Sequence, residues 1–557
     1  MSSVTTRTVV VPEVAVAPGW SCAQTLARPG SRTTSSTPST CAPGAACCDI
    51  PTPPARSGPD RSRTPVWGAA PPCTARLRRG SAGRRVAQED DDGGRGPLAV
   101  WSPVPDSTAS PLRRPPRGGA SHPGRAIAGG FAAAIAVGTL LLSLPVASTD
   151  GRAHPVEALF TATSAVSVTG LAVVDTGTAW STAGLVIIVV LVQLGGLGIT
   201  TAATLVALVL SRRLGLRARL LAQAETKSLS AGDVRGVVRT VAVFTLALEV
   251  VVCGLLAIRW VVVDGGPVLP TLGSAVFHGV MAVNNAGFSL YSDSLVRYAS
   301  DPFTLGVIAG AVMIGSLGFP VVFELWRSWR RPRTWSVLTL ITVWVTGWLL
   351  LVGTVLLAVT EWTNPGTLGP LSSRDSVVGA FFHGVMARSA GFNSFDTTAM
   401  TSEGLLVTDA LMFIGGGSAS TAGGIKVTTF GLLALVLWAE LRGNTDVEVG
   451  RRRVPATTQR QAVAVALLSM GLVCLGTLAL HLTTDQPTDV VAFEAISAFA
   501  TVGLSAGATA QLDIPAQVVV VVLMFIGRVG PVTLATALAL RERAKLHQLP
   551  EERMIVG

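Results

Sequence analysis

Charged side chains are scarce in this sequence. Lys, Arg, Asp and Glu together make up 14% of its 557 residues, whereas an average soluble protein has about 25%. Hydrophobic residues account for 49%, and many of them fall in uncharged runs long enough to cross a bilayer core of about 30 Å. So little hydrated surface excludes an ordinary soluble protein, and we predict an integral membrane protein.

Histidine and cysteine are also few, with six and seven residues. Five of the cysteines lie before residue 125, while Cys253 and Cys474 lie in apolar runs. No cysteine spacing is typical of a metal site or a disulfide framework, and no histidine belongs to a set that could form an intramembrane catalytic site. A membrane enzyme is therefore disfavoured, no bound cofactor is expected, and His278 and His383 are expected to pack rather than bind a ligand.

Residues 1–125 differ in character from the remainder. They are rich in Pro, Arg, Ser, Thr and Gly, show no sustained helix or strand period, and hold most of the net charge of +10. Such a segment cannot bury enough apolar surface to offset the entropy of folding. We expect either a disordered, low-complexity cytoplasmic tail or residues upstream of the true start. Because no nucleic-acid reader motif accompanies the basic charge, no nucleic-acid partner is predicted.

Eight apolar segments after residue 125 are long enough to span a membrane. They lie near 126–147, 179–210, 236–263, 303–326, 334–360, 405–439, 460–482 and 514–540. Four shorter segments lie between the members of each pair, near 155–171, 270–288, 375–392 and 487–504. These shorter segments cannot cross the bilayer, but they are long enough to enter it and return.

Basic residues cluster after the second member of each pair of spans. The clusters are Arg212, Arg213, Arg217 and Arg219; Arg327, Arg330, Arg331 and Arg333; Arg442, Arg451, Arg452 and Arg453; and Arg541, Arg543 and Lys545. The positive-inside rule places these loops in the cytoplasm. Both termini are then cytoplasmic, and the four short segments enter from outside.

An internal repeat is the strongest signal in the sequence. Each short segment ends in a glycine, and a phenylalanine stands ten residues before it: Phe160 and Gly170, Phe277 and Gly287, Phe381 and Gly391, Phe493 and Gly503. Related words surround these glycines, namely SAVSVTGL, FHGVMAVNNAGF, FHGVMARSAGF and SAFATVGL, the third with one residue fewer than the second. The second span of each pair carries a further glycine word, and LMFIG occurs in the last two.

The repeat predicts an all-α membrane protein with four membrane–pore–membrane units. Eight transmembrane helices and four re-entrant pore loops would surround a central pore with fourfold pseudosymmetry. The predicted repeats are residues 126–215, 235–330, 334–442 with a broken helix, and 460–545. Irregular backbone at membrane depth is tolerated only where it is buried or lines water, so the glycine turns are expected at the centre.

The glycine turns suit a cation filter made of backbone carbonyls. A dehydrated K⁺ needs oxygen ligands, and glycine lets the backbone approach an axis because it has no Cβ. The C-termini of the short helices each add roughly −0.5 charge near the centre. The predicted filter residues, which would hold K⁺ by their backbone only, are Val168, Thr169, Gly170, Asn285, Ala286, Gly287, Ser389, Ala390, Gly391, Thr501, Val502 and Gly503.

A polar, glycine-rich stretch interrupts the sixth span. It reads GGGSASTAGGIK over 415–426 and has no counterpart in the fourth repeat, so the break is predicted to be specific to the third repeat. Each glycine weakens a helix by about 1 kcal/mol. The stretch is either a loop that can block and clear the conduction path or a kink packed against a neighbour. A phosphate-binding loop is rejected, because Ile425 separates Gly424 from Lys426 and no strand precedes them.

Three charged residues fall at membrane depth: Glu249, Lys426 and Arg528. Charges at this depth are unfavourable and usually face a cavity or a partner. Lys426 could instead extend toward the cytoplasmic surface, and Glu249 could simply hydrogen-bond a neighbouring helix.

With these motifs the chain resembles the Trk/Ktr/HKT superfamily of cation transporters, and within it the eight-span, Ktr-type membrane subunit. The resemblance covers roughly residues 126–545 and rests on the four pore segments, FIGGGSASTAGGIK and MFIGRVGP. It implies K⁺ uptake across the cell membrane, because glycine at Gly170 replaces the serine associated with Na⁺ preference. It also implies an intramembrane gate below the filter, into which Arg528 projects. The expected gate residues are Gly415, Gly416, Gly417, Ser418, Gly423, Gly424, Lys426 and Arg528.

The resemblance further implies a homodimer in the lipid bilayer that works with a cytosolic ring of nucleotide-binding regulatory subunits. This sequence contains no dinucleotide-binding turn after a strand, so that subunit would be a separate chain. The basic loops at 327–333 and 451–453 either dock it or only satisfy the topology rule. Two alternatives stay open: a Na⁺-selective or Na⁺-coupled transporter of the same fold, and a secondary transporter with inverted repeats. The second is disfavoured because two-span repeats run in the same sense.

Overall fold

The structure is a computed structural model that describes residues 123–530 except 152, 199–233, 445 and 451, together with residue 533. Several expectations concern residues outside this description. They are residues 1–122 of the tail, the basic residues Arg212, Arg213, Arg217, Arg219, Arg451, Arg541, Arg543 and Lys545, and the far ends of the second and eighth spans.

Each predicted repeat contains a first helix, a shorter pore helix and a second helix. The first helices are α1 (Pro123–Leu142), α5 (Val234–Ala257, continued by a π-helical turn at Ile258–Val263), α9 (Val337–Glu361) and α13 (Ala456–His481). The pore helices are α2 (Pro155–Ser167), α6 (Val268–Asn284), α10 (Ser373–Met386) and α14 (Thr488–Ala500). The second helices are α4 (Thr182–Gly196), α7 (Pro302–Leu317), α11 (Ser402–Phe413) and α15 (Ile514–Val529).

Short elements complete the described part of the chain. They are α3 (Thr176–Ala179), α8 (Phe319–Ser328), α12 (Val427–Leu441), the 3₁₀ turns Val296–Tyr298, Pro332–Thr334, Thr397–Ala399 and Thr509–Gln511, and the antiparallel pair β1 (Glu448–Val449) and β2 (Arg452–Arg453). Each of the eight predicted spans contains at least one of these helices, and the predicted all-α membrane fold is confirmed.

Side-chain caps fix where the second helices of three repeats begin. The backbone N–H groups of Gly184, Phe303 and Gly404 donate to the side chains of Ser181 (3.3 Å), Asp301 (3.2 Å) and Thr401 (3.1 Å), respectively. A helix start leaves such donors without a partner inside the helix. The repeated cap therefore sets the point at which the chain re-enters the helical bundle after the first, second and third pore turns.

The pore helices hold the core of the molecule, while the first helices carry apolar side chains on the outside. Phe160, Ala162 and Ala165 of α2 are fully buried. By contrast, exposure reaches 69% at Leu140, 71% at Val250, 74% at Val359 and 66% at Leu467. An extended apolar exterior of this kind is stable in lipid but not in water.

Length separates the helices into two groups. Within the described residues, the four first helices are each long and apolar enough to cross a membrane, and α7 with α8 adds a fifth crossing if the bent pair counts as one. The apolar helices α4, α12 and α15 are shorter, at 15 or 16 residues. The second helices are thus generally shorter than the spans predicted for them.

Glycines end or bend the second helices outside the third repeat as well. The chain turns by 102° between α7 and α8 at Gly318, which has φ 88°. Gly198, soon after α4, has φ 78°, and Gly530, directly after α15, has φ 89°. Glycine tolerates a positive φ that ends the helical conformation. The expectation that only the third repeat would break its second helix is therefore wrong for the second repeat, where the chain continues into α8.

Candidate ion pathway

The pore helices of repeats one, two and four end in the same turn. Their C-cap residues, Val168, Asn285 and Thr501, are left-handed, with φ of 60°, 62° and 50°. The next backbone N–H then bonds five residues back, as from Thr169 to the Ser164 carbonyl at 2.8 Å. This turn closes the helix and redirects the chain. Left-handed backbone is strained for Val and Thr, so the surrounding structure must hold it in place.

The third turn is built differently because it has one residue fewer. Helix α10 ends at Met386, whose carbonyl accepts bonds from the backbone N–H groups of Ser389 (3.1 Å), Ala390 (3.0 Å) and Gly391 (3.3 Å). No left-handed residue precedes Gly391, which itself has φ 67°. The third turn, one residue shorter, thus has three hydrogen bonds to a single carbonyl in place of the left-handed residue of the other turns.

The shorter turn also changes which phenylalanine occupies the repeated buried position. Phe160, Phe277 and Phe493 are buried at 0%, 4% and 0% exposure. Phe381 is 39% exposed, whereas its neighbour Phe382 is 1% exposed. The matched phenylalanine of the third repeat is therefore Phe382, and the even ten-residue spacing was wrong there by one position.

The four turn glycines, Gly170, Gly287, Gly391 and Gly503, form a closed ring. A Cβ added to Gly170 would overlap the backbone of Gly287, and one on Gly287 would lie 2.8 Å from the Ala390 carbonyl oxygen, beside Gly391. A Cβ on Gly391 would overlap the Val502 carbonyl and lie 2.8 Å from the Gly503 Cα, and one on Gly503 would overlap the Thr169 carbonyl, 3.3 Å from the Gly170 Cα. The four loops therefore converge on one axis.

Side chains next to the glycine ring are buried. Val168, Thr169, Ala286, Ser389, Ala390 and Val502 are each at most 1% exposed. The turns are braced from behind by hydroxyls, since Gly170 N donates to Ser164 Oγ (3.0 Å) and Gly503 N donates to Ser497 Oγ (3.2 Å). The turns are thus enclosed by protein and held by hydrogen bonds to their own pore helices.

An amide–hydroxyl cluster of Asn285, Ser316 and Ser389 joins the second and third turns. The Asn285 side-chain amide is hydrogen-bonded to Ser316 Oγ at 2.8 Å and to Ser389 Oγ at 2.6 Å, and the two hydroxyls lie 2.6 Å apart. Ser316 belongs to α7, two residues before its bend. The cluster therefore connects two pore turns to the end of a second helix.

The loop at 415–426, which we call the gate loop for the role expected from the sequence, is closed at its neck. Gly415 N donates to the Ile425 carbonyl at 2.9 Å, and Val427 N donates to the Gly416 carbonyl at 3.0 Å. These two bonds hold the end of α11 beside the start of α12. The tip of the loop, Ser418–Thr421, extends beyond this neck.

The gate loop contacts the second and fourth repeats beneath the glycine ring, and Arg528 links it to the first. Gly417 N donates to the Ser316 carbonyl at 2.7 Å, and a Cβ on Gly423 would overlap the Thr501 hydroxyl. The Arg528 guanidinium, on α15, donates to the Thr421 carbonyl and to the Gly195 carbonyl of α4, the latter at 2.5 Å. Repeats one, two and four thus contribute contacts around a loop of the third.

A cavity of about 310 Å³ lies against the gate loop. It is lined by residues of several repeats, including Phe131, Gly196, Ser418, Lys426 and Arg528. Lys426 bends back to donate to the Ala422 carbonyl of the loop, so it is tied to the loop itself. Two cations therefore face this cavity beside the loop.

Polar residues that the sequence left open now have partners. Asn284 Nδ2 donates to Glu249 Oε1 and to Gln193 Oε1, both at 2.9 Å, so Glu249 hydrogen-bonds a neighbouring helix. His278 contacts the Ser274 carbonyl at 2.8 Å and Ser289 Oγ at 3.0 Å, and His383 contacts Thr408 Oγ1 at 3.2 Å. Both histidines are fully buried, as packing residues would be. Among the described residues, no group of His, Cys, Asp or Glu could hold a metal ion.

Two residues at the site were missed by sequence reasoning. Arg388 is 4% exposed and lies between the third pore helix and its glycine. Glu494 of α14 accepts bonds from Ser505 Oγ (2.6 Å), Ala506 N (3.0 Å) and Thr509 Oγ1 (2.5 Å), and so braces the segment after the fourth turn. Each is a charge well inside an apolar re-entrant segment, beyond the acidic residue at the segment's start, which is the signal that could have identified it.

Comparison with known proteins places this geometry among cation transporters. The TrkH family model, described as a cation transport protein, matches residues 135–549. The Ktr system potassium uptake protein B of Vibrio alginolyticus is 40% identical over 425 residues, covering 75% of this chain and 91% of that protein. The protein of the same name from Bacillus subtilis (strain 168) is 39% identical over 437 residues, covering 78% and 97%.

A further relative and a solved structure extend the comparison. The potassium/sodium uptake protein NtpJ of Enterococcus hirae is 33% identical over 446 residues, covering 78% of this chain and 97% of that protein. The crystal structure of the potassium transporter TrkH from Vibrio parahaemolyticus matches with a TM-score of 0.60 at 18% identity, over 77% of this chain and 87% of that one. At that identity the structural match shows a shared fold.

Proposed function

Because this chain belongs to the TrkH family of cation transport proteins, we propose that it carries K⁺ across a membrane through a filter formed by its four pore turns. The family is one of ion transporters and not of enzymes. We place both chain termini and the basic loops on the cytoplasmic side, as the arginine distribution predicts. The four predicted repeats would act as quasi-equivalent quarters of one pore.

The closed glycine ring is the observation that carries this proposal. Each ring glycine lies against the backbone of the next, so no side chain fits between neighbouring turns. Four turns with buried side chains leave carbonyl oxygens as the ligands available to a dehydrated cation. The pore-helix C-termini at the same place add negative potential. K⁺ is the cargo of such a site, and it would be held by the backbone of the twelve predicted filter residues.

Selectivity for K⁺ over Na⁺ is supported by two observations. The two relatives near 40% identity are named for potassium uptake, and all four ring positions are glycine in this chain. A second candidate, a transporter that also carries or couples to Na⁺, is favoured by one relative named for potassium and sodium uptake.

Gating by the loop at 415–426 is the second part of the proposal. Arg528 and the Ser316 carbonyl hold the loop below the ring from two sides. In that position the loop and the Arg528 charge together oppose the passage of a cation. Movement of the tip would clear the path, because Ser418, Ala419 and Ser420 are only half-buried, whereas the glycines of the neck are buried.

Regulation and assembly complete the proposal. Following the resemblance, we infer a homodimer in the bilayer whose gate responds to a separate cytosolic nucleotide-binding ring. The relatives are named as protein B or D of a system, which agrees with a chain that works beside other components.

Ion flux into proteoliposomes tests the transport proposal. The purified chain, reconstituted alone, should take up K⁺ and Rb⁺ down a gradient. If the filter prefers K⁺, the rate of Na⁺ uptake should be at most about one tenth of the rate of K⁺ uptake. Comparable Na⁺ and K⁺ uptake would favour the sodium-carrying alternative. Absence of any alkali-cation uptake by protein that is folded by size-exclusion chromatography, both with the full loop and with Ser418–Thr421 removed, would refute both.

A further inference from the structure

Arg388 is a buried cation at the base of the third pore turn. It is 4% exposed, and among the described residues no ion pair joins it to a carboxylate. A guanidinium cannot lose its charge in a protein, and an unpaired charge at membrane depth is unfavourable. Its few partners should therefore be held firmly in place.

Two neutral oxygens are those partners. Arg388 Nη2 donates to Thr346 Oγ1 of α9 at 3.3 Å and to the Gly415 carbonyl at 3.5 Å. The Nε atom is buried without a hydrogen-bond partner. With so few acceptors, loss of either one would leave the buried charge still less compensated.

Gly415 lies at the neck of the gate loop, so its contact with Arg388 joins the loop to the third pore turn. Gly415 is the first residue of the gate loop, and its backbone N–H closes the neck by bonding to the Ile425 carbonyl. On its other side, Arg388 is directly followed by Ser389, which belongs to the amide–hydroxyl cluster. One side chain therefore spans the neck of the gate loop and the third filter segment.

We propose that Arg388 is a positioning residue that anchors the neck of the gate loop to the third filter segment and so holds the whole loop under the glycine ring. This inference rests on the proposed gating function of the loop. Displacing the Gly415 carbonyl would remove an acceptor from a charge that has almost none. Arg388 thereby favours the position in which the loop lies under the glycine ring.

Substitution at Arg388 in two backgrounds tests the anchor. In the full-length loop, Arg388→Met removes the donors and the charge while keeping much of the side-chain volume, and Rb⁺ flux into proteoliposomes should rise about tenfold, the usual effect of losing a bond to a charged group. In a background that lacks the tip, Ser418–Thr421, the same substitution should change flux by less than about twofold, because the blocking position no longer exists.

Controls separate anchoring from a general structural role. Arg374→Met, at an exposed position near the start of the preceding pore helix α10, should leave flux unchanged in both backgrounds. Arg388→Lys keeps the charge but loses the planar fork, so it should raise flux by a smaller factor, and it serves as the test if the Met variant does not fold.

The outcomes distinguish the anchor from the gate. An equal effect of the Arg388 variants in both backgrounds, a fall in flux, or no effect in the full-length loop would overturn the anchor. If removing the tip does not itself raise flux, the gating proposal fails instead.

Discussion

At the scale of single residues, the pore turns depend on backbone conformations that most side chains avoid. Val168 and Thr501 are β-branched and left-handed, and such residues add strain of about 1–3 kcal/mol each. Hydroxyl braces and buried neighbours must offset that strain. At the ring positions the restriction is space: a side chain does not fit, because the next turn occupies the place where a Cβ would be.

A methyl group at one ring position should therefore disrupt transport. Gly170→Ala places a Cβ against the backbone of Gly287 at a φ of 92°, so the two turns must separate. We expect Rb⁺ flux to fall by tenfold or more, while the protein still inserts and folds. Gly347→Ala in α9, where an added Cβ meets nothing within 4 Å, is the matched control. Equal flux from the two variants would show that the ring does not lie in the ion path.

Residue-level reasoning from sequence found the ring but not its supports. The four glycines repeat with recognisable neighbours, so their equivalence was visible. Contacts such as Asn285 with Ser316 and Ser389 join positions 31 and 104 residues apart, and no local pattern encodes such a pairing. Phe381 was matched in place of Phe382 because the third repeat has one residue fewer before its glycine. That deletion shifts the pore helix by one position relative to the other repeats.

At the scale of elements, the second helices are the parts that differ most from expectation. Hydropathy reports apolar length and does not report where a helix ends. Gly318 therefore appeared to lie inside a straight span, although it bends the chain by 102°. The glycine words were present in the sequence, and a positive φ at their last glycine explains the ends of α4, α7 and α15 together.

The broken helix of the third repeat leads to a prediction at this scale. Removing the tip of the gate loop, Ser418–Thr421, deletes the Thr421 carbonyl that Arg528 contacts and clears the space under the ring. Rb⁺ flux through the reconstituted protein should rise several-fold. The ratio of K⁺ to Na⁺ flux should stay the same, because the filter turns are untouched. A loop that only packs as a kink would instead give lower flux or less folded protein when shortened.

At the scale of the whole molecule, the apolar exterior and the buried pore helices explain why the architecture was readable in advance. Lipid requires long apolar first helices, and these were found with their ends nearly correct. The pseudosymmetry was visible because four glycines at matched positions recur through the chain. The repeats pack together into a closed ring with a loop beneath it. That arrangement depends on long-range contacts, which the periodicity of the sequence does not reveal.

The most direct test of the central claim is the position of a heavy alkali cation in the protein. Crystals grown in Rb⁺ should show anomalous scattering on the axis of the glycine ring, within coordination distance of carbonyl oxygens from all four turns. Crystals grown in Na⁺ provide the control. Turns held apart from one another, or Rb⁺ density confined to side chains away from that axis, would contradict the account.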